Sequence, residues 1–200
     1  MPLPARDAQL VHIVDAALAD AARHAGDQLA CRVGCTQCCY GAFAINALDA
    51  ERLHEGMTSI RAANPALAAE IDRRARVWLA EHGADFPGNS DTGVLGTSDG
   101  DQASFENFAN DAACPALDPS TGRCDVYAWR PMTCRVFGPP VRSVSENGSE
   151  GLGHCELCFI GATPEQVAAC EMPVSHELEA ELLDEMNSTA ETIVAFALIE

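Results

Sequence analysis

The chain has 200 residues, 48% of them apolar, but alanine supplies 34 of those and aromatic residues only 6%, so few large side chains can lock a core. Its formal charge is −18, and all twelve basic residues are arginine. An acidic surface repels phosphate backbones and anionic headgroups, which argues against nucleic-acid and membrane partners. The absence of lysine removes Schiff-base chemistry and the P-loop.

Leu10, Ile13, Val14, Ala17, Leu18 and Ala21 recur with a 3.6-residue period and predict an amphipathic helix over 8–30, leading to Cys31. Gly41 to Ile45 is a short apolar stretch of strand character. Asn46 with Asp49 marks the start of a helix over 47–62. Asn64-Pro65 opens the next, with Leu67, Ile71, Ala75, Trp78 and Leu79 as its buried face and Gly83 as its stop. Residues 84–103 hold four glycines and four aspartates without periodicity and read as a long exposed loop. A calcium loop fails there, because Ala103 and Ser104 stand where a ligand and the obligatory glycine are needed. Residues 105–160 are rich in turns and cysteine. Thr163-Pro164-Glu165-Gln166 is a capping box that opens a short helix through Cys170, and Pro173 breaks it. Ser175 then caps a final helix over 175–198, with Leu178, Leu182, Met186, Ile193 and Phe196 along one side. The expected fold class is mainly α, a single domain over 1–200 with helices packed around an irregular cysteine-rich metal-binding centre.

Asp7, Asp15 and Asp20 interrupt any signal-peptide core, and the apolar run Ile193 to Ile199 is too short to span a bilayer. The expected location is the cytoplasm, where ten clustered cysteines hold metal more readily than disulfides. The first cluster is Cys31-Arg-Val-Gly-Cys35-Thr-Gln-Cys38-Cys39, whose Gly34 permits the backbone twist that a close approach of thiolates needs. Adjacent Cys38 and Cys39 tend to diverge, so they serve two neighbouring centres or one of them is not a ligand. Cys114, Cys124 and Cys134 follow with nine residues between each pair, and the turn Asp118-Pro119-Ser120-Thr121-Gly122 returns Cys124 towards Cys114. Cys155 and Cys158 form a last CxxC. Sulfur-only ligation suits zinc and iron–sulfur clusters and excludes magnesium and calcium.

Together these residues resemble the YkgJ-type bacterial cysteine-cluster family, whose CxxxCxxCC or CxxCxxCC motif continues as Cys-Pro-x-Leu, Cys-x-x-Tyr and Arg-Pro-x-x-Cys-Arg. The match runs through Cys31, Cys35, Cys38 and Cys39, then Cys114-Pro115 with Leu117, Cys124 with Tyr127, and Arg130-Pro131 with Cys134-Arg135. The resemblance implies chelation of zinc or iron by these seven cysteines, with an eighth from Cys155 or Cys158. Eight thiolates make one four-cysteine cluster plus a structural site, two zinc centres, or one centre with spares. Tyr127, Arg130 and Arg135 are the cofactor-binding candidates; the plainer reading is aromatic packing over the metal loops and arginines that offset thiolate charge. The vicinal pair and the Cys-Pro step favour an iron–sulfur cluster, with zinc as the alternative. The expected role is electron transfer, redox sensing or support of a protein partner. The competing readings are a zinc-stabilised interaction domain without catalysis and a metal-handling protein. His154 reads as solvent-facing and Cys170 as ordinary packing. His54-Glu55 and His176-Glu177 lack the second histidine of a zinc-protease motif, and no nucleophile elbow or dinucleotide fingerprint occurs.

Overall fold

The structure, a computed structural model, describes residues 2–144 and 150–199. Its first helix, α1 (Asp7–Ala25), buries Leu10, Val14 and Ala21 along the expected stripe. It ends at Ala25 rather than residue 30, because Gly26 takes φ +52 and turns the chain into the 3-10 turn Gly26–Gln28. After the first cysteine loop, β1 (Ala44–Ile45) leads into α2 (Ala47–Ala63), where the Asn46 side chain accepts the Asp49 N–H at 3.1 Å. Asn46 also donates to Glu179 Oε1 at 2.9 Å, so one cap fixes a helix start and a tertiary contact. Asn46→Ala is expected to cost about 1 kcal/mol, a fall in Tm of about 2–4 °C in a thermal melt. Asn64 caps α3 (Pro65–His82) by accepting the Leu67 N–H, with Pro65 in the first turn.

Residues 84–103 are largely exposed, but they are not a structureless loop. β2 (Gly88–Asn89) and β3 (Val94–Leu95) form a hairpin, and Ser98 with Asp101 makes a capping box that starts α4 (Asp99–Phe105). The polar residues that suggested a loop serve as turn and cap residues: the Asn89 side chain accepts the Asp91 and Thr92 N–H groups. Further on come β4 (Leu117–Asp118), β5 (Arg123–Cys124) and α5 (Met132–Val136). The strands β6 (Val141–Val144) and β7 (Glu150–Gly153) pair antiparallel, and α6 (Pro164–Ala168) starts at the expected Thr163–Gln166 capping box.

The single helix expected over 175–198 is replaced by three elements: α7 (His176–Met186), β8 (Thr192–Ile193) and α8 (Val194–Ala197). Asn187 enters the left-handed region (φ 49, ψ 42) and stops α7. Ile193 then pairs with Ala44 in the two-stranded β1–β8 sheet. Leu182, Met186 and Ile193 are buried in this arrangement as they would be on one helix, so their apolar stripe does not distinguish the two.

The fold is mainly α, and its apolar interior is divided. α2, α3 and α8 enclose Leu53, Met57, Ile71 and Ala197 together with Ala116 and Val126 of the cysteine segment. α1 and α7 enclose Leu10, Val14, Leu182 and Met186 with Leu48 and Met132. A third group gathers Cys155, Cys158, Phe159 and Cys170 against Ala25, and a fourth gathers Trp78, Phe86, Phe108 and Ile193. Among the described residues, no helix is long and apolar enough to cross a membrane.

Candidate metal centre

Backbone bonding shapes each cysteine loop before it brings the loops together. The Cys35 N–H donates to the Arg32 carbonyl at 2.9 Å across Gly34, whose φ of +89 an L side chain would resist. The Cys39 N–H donates to Thr36, and Gln37–Cys39 form a 3-10 turn. The second segment docks on this loop: the Cys114 N–H donates to the Cys39 carbonyl at 2.7 Å and the Gly41 N–H to Ala112 at 2.9 Å. The β4–β5 hairpin sets Leu117 opposite Cys124. Its turn is held by the Asp118 carboxylate, which hydrogen bonds from Thr121 and Ser120 keep ionised down to about 2. The expected return of Cys124 towards Cys114 is therefore present.

Cys134 rides on α5, and the neighbouring Arg135 anchors that helix. Its guanidinium, 2% exposed, donates to both Asp15 oxygens at 2.8 Å and to the carbonyls of Arg130 and Ala128. Its donors are thus spent on α1 and on the chain just before α5. Arg130 is nearer the thiols: it stacks on Tyr127, 3.9 Å from the ring centre, and its charge favours the thiolate forms of Cys38 and Cys124. Trp129 packs against Gly56 of α2, where an added Cβ would lie 2.6 Å from the indole.

The CxxC turn comes in from the other side. The Phe159 N–H donates to Gln28 at 2.8 Å, the Cys155 N–H to Gly138 at 3.2 Å, and the Ala30 N–H to Cys158 Sγ at 3.4 Å. Gly138 has φ +124, and a Cβ there would lie 2.6 Å from Cys31 Sγ. Gly138→Ala is therefore expected to displace the Cys31 sulfur and reduce the metal retained per chain, as read by elemental analysis of the purified protein. Sequence reasoning did not single out Gly138, nor Asp15, the partner of Arg135; nothing in the local pattern around either marks them. His154 is exposed, and Cys170 is buried among the third apolar group.

The thiols perturb one another. Burial, then Cys158 and Cys35, pushes Cys31 up to about 12, and burial pushes Cys114 up to about 12. Burial likewise raises Cys124, Cys134 and Cys155. A hydrogen bond with Cys39 lowers Cys38 to about 6 against the effect of burial, and the same bond raises Cys39. A cation among these sulfurs would reverse the repulsion that holds them protonated. The backbone already favours thiolates: the N–H groups of Ala116 and Leu117 lower Cys114, that of Val126 lowers Cys124 and that of Leu157 lowers Cys155, each against the larger effect of burial. This all-sulfur donor set fits a thiophilic metal. Among the described residues, no three His, Cys, Asp or Glu side chains close around a single ion position. Instead Cys31, Cys35, Cys38, Cys39, Cys114, Cys124 and Cys134 line one cavity of about 690 Å³, with Cys155 and Cys158 buried beyond it.

Residues 30–158 match the CxxCxxCC family, described as "Putative zinc- or iron-chelating domain". The chain belongs to that family. The CxxCxxCC match takes in nine of the ten cysteines and leaves out Cys170, the one that the structure places in ordinary packing. No significant match is found among curated proteins or among solved structures.

Proposed function

We propose that this CxxCxxCC protein holds an iron–sulfur cluster through its clustered thiolates and serves electron transfer, redox sensing or the support of a protein partner in the cytoplasm. The observation that carries this reading is the ring of seven cysteines around one 690 Å³ cavity, far more space than a single ion needs. When bound, such a cluster supplies one-electron chemistry, and N–H groups aimed at its sulfurs tune its potential. Around it, Arg130 offsets thiolate charge, while Phe43, Trp78 and Val194 give the cavity an apolar wall against water. Closely spaced cysteines with metal-ligand spacing suit a reducing compartment. The charge of −18 favours a protein partner over nucleic acid or a lipid surface.

One observation favours zinc instead. Among the described residues the interior is split into four apolar groups, the situation in which a structural metal replaces missing core. Purification without oxygen, with a visible spectrum and analysis for iron, zinc and acid-labile sulfide, separates the two. A brown protein with matching iron and sulfide is expected. A colourless protein carrying zinc overturns the iron–sulfur reading in favour of a structural or interaction domain.

A further inference from the structure

The sulfur neighbours divide into two sets. Cys31 neighbours Cys158, Cys35 and Cys155, and Cys155 neighbours Cys158 and Cys35; Gly138 joins them, its α-carbon against Cys31 Sγ and its carbonyl accepting the Cys155 N–H. On the other side Cys134 neighbours Cys114, Cys38 and Cys124, Cys114 neighbours Cys124 and Cys38, Cys124 neighbours Cys38, and Cys39 neighbours Cys38, Cys114 and Cys124. The backbone draws the same division independently. Phe159 and Cys158 are bonded to Gln28 and Ala30, on the N-terminal side of Cys31, whereas Cys114 is bonded to Cys39, on the C-terminal side of the same loop. One loop thus meets two groups of sulfurs, with Cys31 and Cys35 beside the CxxC turn and Cys38 and Cys39 beside the 114–134 segment.

We propose that the chain carries two separate four-thiol metal centres, one of Cys31, Cys35, Cys155 and Cys158 and one of Cys38, Cys114, Cys124 and Cys134, with Cys39 as the unligated fifth thiol beside the second. The proposal rests on the metal-binding reading and adds to it the number of centres and the ligands of each. Four thiolates per centre satisfy a tetrahedral zinc or a four-iron cluster. Cys39 is surplus to that count, and its own carbonyl is held by the Cys114 N–H. The arrangement has a structural consequence. The first centre pins the N-terminal loop to Cys155–Cys158 across the whole family region, and the second pins it to the hairpin and α5.

The test uses full-length protein purified without oxygen, with metal and sulfide per chain measured alongside far-UV circular dichroism. Cys155→Ser/Cys158→Ser and Cys114→Ser/Cys124→Ser are each expected to keep half of the wild-type metal, and Cys39→Ser to keep all of it. Loss of all metal from both double variants with unchanged circular dichroism overturns the partition. Cys39→Ser losing as much metal as Cys134→Ser overturns the assignment of Cys39. Should a variant fail to fold, the wild-type protein answers the same question through stepwise chelation, alkylation and peptide mapping. The cysteines are expected to become reactive in two groups of four with the memberships given; release of all eight together, or of mixed groups, overturns the partition. A wild-type chain that binds neither iron nor zinc overturns the metal-binding reading itself, an outcome distinct from metal bound as a single group.

Discussion

Replacing Arg52 with methionine is expected to cost about 3–5 kcal/mol of stability, the range found when one partner of a buried ion pair is removed. The Arg52 side chain is 3% exposed and lies between Asp7 and Asp49, whose side chains are 8% and 2% exposed. Its Nε and Nη2 donate to Asp7 and its Nη1 to Asp49, and Asp49 also accepts the Met132 N–H at 2.8 Å. One arginine therefore joins α1, α2 and the start of the helix that carries Cys134. Methionine fills much of the volume but leaves two carboxylates buried without a counter-charge. The deficit also depends on pH. Burial raises Asp49 to about 6 even in the intact protein, outweighing Arg52 and the Met132 N–H. The folded state then binds the Asp49 proton more tightly than the unfolded chain does, so this group's contribution to stability falls as pH rises from about 4 to about 6. Without Arg52, whose charge favours the Asp49 carboxylate, that fall extends to higher pH. Urea unfolding at pH 5 and pH 7.5 checks both points: a deficit below about 1 kcal/mol, or one equal at the two pH values, contradicts this account of the triad.

What could be read from the chain follows the range of the interactions. Asn46, Asn64 and Thr163 cap helices through bonds three residues away, and the Asp118–Gly122 turn closes on itself, so each is visible in a short window. The hairpin and α4 within 84–103 are just as local, but their Asn, Ser and Asp residues are also what an open loop contains. Ser98 with Asp101 makes the box that a glutamate or glutamine usually completes. The C-terminal segment misled for another reason: Leu182, Met186 and Ile193 satisfy a helical stripe, and only the long-range pairing of Ile193 with Ala44 selects a strand. In the centre, the cysteine types and their metal chemistry are plain from spacing. Which sulfurs stand together is set by bonds such as Cys114 to Cys39 and Phe159 to Gln28, and Arg135 is held by Asp15 across 120 positions. No periodicity in the intervening chain encodes those contacts.

Those same contacts determine how metal uptake responds to pH. Loading of the Cys38, Cys114, Cys124 and Cys134 centre is expected to strengthen roughly a thousandfold per pH unit near neutrality, because three of its thiols must each give up a proton. Burial holds Cys114 at about 12 and raises Cys124 and Cys134, so all three enter the reaction protonated. Cys38 does not add to the count: its bond with Cys39, aided by Arg130, sets it at about 6, so it is already mostly thiolate above pH 7. The sign follows directly, since protons and metal compete for the same sulfurs and raising the pH removes the competitor. Cys38 is then the natural first ligand, the one sulfur of the four that meets an incoming cation already charged. Zinc competition against a chromophoric chelator at pH 6.5 and 7.5, in a variant lacking Cys155 and Cys158, isolates this centre. A slope near one proton would mean that two of the three buried thiols are already thiolate in the metal-free protein at neutral pH, which contradicts this account. Cys39→Ala, which removes the partner of the Cys38 thiol, is expected to move the slope from three protons towards four, whereas an unchanged slope would show that a backbone N–H and Arg130 suffice to keep Cys38 charged.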